Sequence, residues 1–204
     1  MAFDFIRMDD EEDDKKNDGA DIAKTETVVS RMIKSRTILI MGTIDQDVAE
    51  KTIAQLLVLD AESNEPIRVV ICSPGGHVDS GFAIHDTMKF IKSPVIAIGA
   101  GWVASIAVPI MLGADKDKRY SLPHTRYLLH QPSGGVGGQA SDIRIEAQEI
   151  LKIRQRINKM LAEETGQPED KVAKDSDRNF WMVAEEALAY GLVSKIVTDM
   201  KELD

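Results

Sequence analysis

The chain has 204 residues, 43% of them hydrophobic, which suits one ordinary domain with a terminal extension and a substantial core. Its net charge of −9, from 25 basic and 34 acidic side chains, shows no concentrated basic run and argues against a nucleic-acid partner. Apolar stretches stop well short of the ~18 residues a membrane span needs, the acid-rich start is unlike a signal peptide, and the single Cys72 excludes a disulfide framework or a cysteine-rich metal site, so a cytoplasmic protein without membrane contact is expected.

Residues 1–24 hold nine acids against four bases, including the run Asp9-Asp10-Glu11-Glu12-Asp13-Asp14. Such a segment buries too little apolar area to offset its ordering entropy, so it is expected to be disordered. The alternative is a gating or partner-binding arm, in which only Phe3, Phe5 and Ile6 would want a pocket. The folded domain is placed at 25–204.

Thr37–Met41 is short, apolar and β-branched, and reads as a buried strand. A helix follows, with Thr43 and Gln46 at capping-box spacing and Ala49, Ile53, Leu56 and Leu57 along one face. A strand at 67–72 leads through Ser73-Pro74-Gly75-Gly76 to a helix over 78–92, with Ile84, Met88 and Ile91 on one side. A third strand at 95–98 precedes the apolar segment 105–112, and a fourth at 127–130 precedes the Gly-rich stretch 133–138. A long helix is predicted over 141–164, where Ile143, Ala147, Ile150, Ile157 and Leu161 recur at helical spacing. A short helix at 184–190 should stop at Gly191, and a strand at 192–197 closes the chain. This alternation predicts an α/β domain with a largely parallel sheet.

Candidate chemistry begins at Ser105, which follows a strand among the small residues Gly99, Ala100, Gly101 and Ala104. At the start of a helix, unpaired N–H groups favour a developing oxyanion, with Pro109 as the fourth helical residue. A serine there is also an ordinary N-cap. Of the four histidines, only His130 ends an apolar strand, the place where α/β folds present site residues, although packing or surface roles stay open for each. Gly75-Gly76 makes either a tight turn or a pair of backbone donors facing a site.

Taken together, Ser73-Pro74-Gly75-Gly76, Ala104-Ser105, His130-Gln131-Pro132 and Gly137-Gly138-Gln139-Ala140-Ser141-Asp142-Ile143 stand in the order and spacing of the Clp protease proteolytic subunit. Glu186-Ala187-Leu188-Ala189-Tyr190-Gly191-Leu192 also resembles that family, and the likeness spans about 32–197. The resemblance implies a crotonase-like α/β fold with a protruding handle helix at 141–164, assembling into stacked rings of seven subunits around enclosed sites. It implies a serine endopeptidase that needs no metal or cofactor and cuts unfolded polypeptides fed by an AAA+ unfoldase. By position, Ser105 matches the nucleophile and His130 the general base, while Gly76 and Ile106 match the oxyanion-hole N–H donors. Gly75, His77 and Val78, with Ser133, Gly134 and Gly135, resemble the segments that clamp an extended peptide by main-chain pairing. Asp177 and Arg178 match a ring–ring contact pair.

Three positions depart from the family pattern. Asn179 stands where the family carries its triad acid. An amide oxygen can orient the imidazole but cannot stabilise the imidazolium, and weak or conditional activity is expected. The competing reading makes Asn179 a turn residue, with Asp175 or Asp177 as the acid. The acidic run replaces the family's apolar axial-loop sequence. Arg68-Val69-Val70 replaces aromatic residues of the unfoldase-docking pocket, with Phe90 left at a plausible pocket position. A mixed barrel with a paralogous subunit is therefore an alternative to a homo-oligomer. Two other classes are a structural or regulatory ring subunit and a crotonase-fold acyl-CoA enzyme, the latter expected to present acids rather than a Ser–His pair.

Overall fold

A computed structural model describes residues 28–135 and 137–203. The expectations for residues 1–24 fall outside this range. Chain order is α1 (Val28–Lys34), β1 (Thr37–Met41), α2 (Gln46–Glu62), β2 (Ile67–Ser73), α3 (Val78–Phe90), β3 (Val95–Ala104), α4 (Ala107–Met111), β4 (Arg119–Ser121), β5 (Arg126–Leu129), α5 (Ala140–Thr165), α6 (Glu169–Asp175), β6 (Phe180–Val183), α7 (Ala184–Tyr190) and β7 (Lys195–Ile196).

The sheet runs β1-β2-β3-β4-β7, all parallel, and forks at β3. The first half of β3 pairs with β4, while Trp102, Val103 and Ala104 pair with Arg126, Tyr127 and Leu128 of β5. Strand β6 then joins β5 antiparallel, with Leu129 opposite Phe180. This fork places the ends of β3, β5 and β6 together.

β2 shows why the sheet seats as it does. Ile67, Val69, Ile71 and Ser73 point into the core, while Arg68, Val70 and Cys72 alternate onto a half-covered face. Period-two alternation puts every second residue on the helix-covered side. There Ile38, Ile40, Leu56, Leu59, Ile84 and Ile110 are at most 1% exposed and share one cluster with residues of the other helices. A second, smaller cluster of Ile96, Ile98, Tyr120, Val197 and Leu203 lies apart from it.

Several sequence expectations need correction. α2 is capped by Asp45, whose Oδ1 accepts from Val48 N–H at 2.8 Å, not by a Thr43–Gln46 box. β1 is not buried on both faces, since Leu39 and Met41 are 44% and 55% exposed. β3 continues to Ala104 instead of stopping at 98, and 192–197 contributes only the two-residue β7. β4, α6 and β6 were not foreseen. In α5 only Ile157, Asn158 and Leu161 are buried, so the helix projects and leaves Ile143 40% exposed.

Candidate active site

Ser105 lies in the turn between β3 and α4, at φ +57°. Its backbone is pinned on both sides: Ser105 N–H donates to Leu128 O at 2.9 Å, and its carbonyl accepts from Val108 N–H at 3.0 Å. Ser105 is therefore not a helix N-cap. That place belongs to Ile106, α4 begins at Ala107, and Pro109 is its third residue. A five-residue helix supplies little macrodipole, so any anion-stabilising effect here rests on individual N–H groups.

Gly75 packs against this turn. A β-carbon on Gly75 would meet Ser105 Cβ at 2.6 Å and Ala104 O at 2.7 Å, and its φ of +90° is one that glycine accepts readily. Gly76 is held beside Ile44 by a parallel bridge, in which Ile44 N–H donates to Gly75 O at 2.9 Å and His77 N–H to Ile44 O at 2.7 Å. That pairing leaves the Gly76 N–H out of the ladder. Among the described residues, neither Gly76 N–H nor Ile106 N–H has an acceptor. Gly75-Gly76 is thus a tight turn and a source of a free donor at once.

His130 is the first residue beyond β5 and lines a pocket with Ser105, Val78, Ile106, Pro109, Leu129, Pro132, Ile157 and Leu161. Among the described residues no hydrogen bond joins Ser105 to His130 or His130 to Asn179. The free volume is about 20 Å³, room for roughly one water molecule. Catalytic hydrogen bonds are often long in ligand-free enzymes and tighten around substrate.

Asn179 is exposed and does not line the pocket. The Leu129–Phe180 pairing, continued by one residue, nevertheless places it opposite His130 across the antiparallel β5–β6 pair. The alternative acids are engaged elsewhere. Asp175 accepts from Tyr190 Oη at 3.0 Å and pairs with Lys171 at 2.5 Å. Asp177 pairs with Arg154 of α5 at 3.0 Å, and its carbonyl accepts from Gln131 Nε2 at 2.8 Å. Arg178 is exposed and has no ion pair among the described residues.

The expected peptide-clamping residues are only partly grouped. Gly75 and Val78 border the Ser105 turn and pocket. The His77 ring caps α3, with Nδ1 2.9 Å from Ser80 Oγ and accepting from Ser80 N–H at 3.3 Å. Ser133, Gly134 and Gly135 are exposed and form no strand. Sequence reasoning missed the pocket roles of Leu129, Pro132, Ile157 and Leu161. Ile157 and Leu161 carried a helical-spacing signal, but spacing alone marks an apolar stripe and not what the stripe faces. Among the described residues, no three His, Cys, Asp or Glu side chains converge as a metal site would require.

The family model described as Clp protease matches residues 19–200. The chain is 52% identical to the ATP-dependent Clp protease proteolytic subunit 3 of Rhizobium meliloti (strain 1021), over 97% of this chain and all of that protein. It is 47% identical to proteolytic subunit 2 of Gluconobacter oxydans (strain 621H), over 97% of this chain and 92% of that one. An Asn-to-Asp mutant of ClpP1 from Listeria monocytogenes superposes with a TM-score of 0.81 at 46% identity, covering 87% of this chain and 100% of that structure.

Proposed function

Since the chain belongs to the Clp protease family, we propose that Ser105, His130 and Asn179 are its catalytic set and that Gly76 and Ile106 supply the oxyanion-hole N–H groups. The chain is a serine-type peptidase subunit of that family, with the family's crotonase-like fold and stacked-ring assembly. Membership sets aside the acyl-CoA reading. The observation that carries the site is the sheet fork: the ends of β3, β5 and β6 bring Ser105, His130 and Asn179 to one edge, with Gly75-Gly76 against the serine.

In this reading Ser105 Oγ attacks the scissile carbonyl as His130 accepts its proton. The oxyanion takes hydrogen bonds from Gly76 N–H and Ile106 N–H, donors that no protein acceptor occupies among the described residues. His130 then protonates the leaving amine, and later draws a proton from the water that attacks the acyl-enzyme. Asn179 accepts from the His130 Nδ1–H and fixes the ring, without the negative charge an aspartate would add. The apolar walls supplied by Val78, Leu129, Ile157 and Leu161 suit an apolar side chain next to the cut bond. The 20 Å³ of free volume means that the pocket must widen to take one. Gly75, His77, Val78, Ser133, Gly134 and Gly135 then engage the substrate through main-chain groups, since the His77 ring is already committed to α3.

The family implies rings that work with Clp ATPases. The finer assignment is two heptameric rings, as a homo-oligomer or a mixed barrel with a paralogous subunit, acting in the cytoplasm on unfolded polypeptides delivered by an AAA+ unfoldase. Among the described residues no helix is long and apolar enough to cross a membrane. Arg178, exposed at the β6 entry, and Asp177, which would exchange its Arg154 partner, form the ring–ring contact. Residues 1–24 lie outside the peptidase domain at 25–204.

A structural ring subunit is the second reading, the one that the amide of Asn179 in place of an acid would suit. Fluorophosphonate labelling of the assembled protein separates the two. The peptidase reading expects covalent modification of Ser105 and slow cleavage of a fluorogenic peptide, with Asn179→Asp raising kcat by about tenfold or more, a fraction of the ~10⁴ such a charge is worth in trypsin-type enzymes. An unlabelled Ser105 in assembled rings supports the structural role. A labelled Ser105 with no gain from Asn179→Asp sinks the assignment of position 179.

A further inference from the structure

The sequence shows no concentrated basic run, but the fold builds a basic groove. Lys34, Arg36, Arg68 and Lys118 line a depression of about 400 Å³ with Ile96 and Leu203 among its apolar residues, and Glu65 is the only acid among its lining residues. These cations come from the end of α1, the second residue beyond it, β2 and the turn before β4, so only folding unites them. Arg36 spends its guanidinium on neutral acceptors: Leu59 O at 2.9 Å, Ser63 O at 3.2 Å, Glu65 O at 2.7 Å and Ser93 Oγ at 3.3 Å. Its charge is therefore not cancelled. Arg68 and Lys118 are half-buried and have no carboxylate partner among the described residues. On a chain of net charge −9, Arg36, Arg68 and Lys118 make this groove electropositive.

The same chain carries a ligand of matching chemistry. Residues 9–14 are six consecutive carboxylates, and the described structure begins at Val28 on α1, whose last residue, Lys34, is in the groove wall. The 14 residues from Asp14 to Val28 span at most ~46 Å when extended, far more than the ~10 Å length of α1. Reach is thus no obstacle, and the closure entropy of so short a tether rises only slowly with its length. We propose that the Asp9–Asp14 run of the same chain docks in the Lys34–Arg36–Arg68–Lys118 groove, making the N-terminal segment a resident acidic ligand that screens this surface from other acidic peptides. The interaction is charge-driven and weakens with salt. It depends on no catalytic residue, so it stands or falls separately from the peptidase assignment.

Carbodiimide cross-linking of the assembled full-length protein, read by peptide mass spectrometry, tests it. The expected result is amide links from residues 9–14 to Lys118 and Lys34, reduced severalfold by 0.5 M NaCl. Arg68→Gln, which leaves both amines in place, should also lower them severalfold. Assembly from isotopically light and heavy subunits should show these links within one chain. A fluorescent peptide copying residues 5–18 should bind a chain carrying D9N, D10N, E11Q, E12Q, D13N and D14N at least tenfold more tightly than the unaltered chain. Adding R68Q and K118Q should abolish that gain. Links chiefly to lysines outside the groove, such as Lys51 or Lys171, overturn the proposal. So do equal peptide binding by both chains, or links found only between light and heavy subunits.

Discussion

With φ at +57°, Ser105 occupies left-handed backbone that costs a residue bearing a β-carbon about 1–2 kcal/mol. Hydrogen bonds to Leu128 and Val108 on either side, and the close approach of Gly75, hold it there. In that conformation Ser105 lines the pocket it shares with His130. Two variants separate strain from chemistry. Ser105→Ala and Ser105→Gly should both lose peptidase activity. Ser105→Gly should be the more stable by about 1 kcal/mol, read from denaturant midpoints, because glycine accepts the positive φ, less a few tenths for its greater freedom when unfolded. Equal stability would mean that the turn is unstrained. Ser105 and His130 stood out in the sequence as candidates, but the backbone angle at Ser105 was not legible there, because no local signal requires a left-handed serine.

α2 shows how a local rule can select the wrong residue. Thr43 and Gln46 have capping-box spacing, yet Asp45 supplies the cap and Gln46 is already the first helical residue. The chain leaves β1 at Gly42, and Ile44 bridges to Gly76, so the helix can start only after that bridge. Asp45→Ala should cost about 1 kcal/mol of stability and Thr43→Ala only a few tenths, measured by urea unfolding. The reverse order would restore the sequence-based cap. β3 teaches the complementary lesson. Gly99 and Gly101 read as the end of a strand, but β2 and β4 pair with Gly99, and β5 takes up Trp102, Val103 and Ala104 beyond Gly101. A β-carbon on Gly99 would run into the Tyr127 hydroxyl, so that glycine serves close packing. Strand partners remote in sequence overrode the local turn signal.

At the scale of the molecule, Arg119 ties β4 to the far end of α5. It is 1% exposed, donates to Ala114 O and Leu112 O, and pairs with Glu164. Partial burial by itself would raise the Glu164 pKa, but the Arg119 hydrogen bond and charge, with Lys89 and Lys116 nearby, outweigh it and hold the carboxyl below its ordinary value. A depressed folded-state pKa adds stability above the unfolded value of ~4.3, and that contribution is lost as pH falls through the folded value. Glu164→Gln should therefore cost about 2 kcal/mol at pH 7, a typical value for a hydrogen bond to a charged group. The difference from the parent should shrink steadily below pH ~4.3. A gap that stays constant across that range, in pH-dependent thermal unfolding, would show that the pair is not the source.

Strand and helix alternation, the stop of α7 at Gly191 and the apolar stripe of α5 came from the sequence alone, because each depends on neighbours within a few turns of the chain. The collinear motifs were likewise enough to place the chain in the Clp protease family. Only tertiary structure decided that β3 forks, that β6 returns antiparallel to set Asn179 across from His130, and that Arg68 and Lys118 share one groove. Those outcomes arise from mutual burial of segments far apart in sequence, and periodicity within one segment carries no record of the partner against which it will pack.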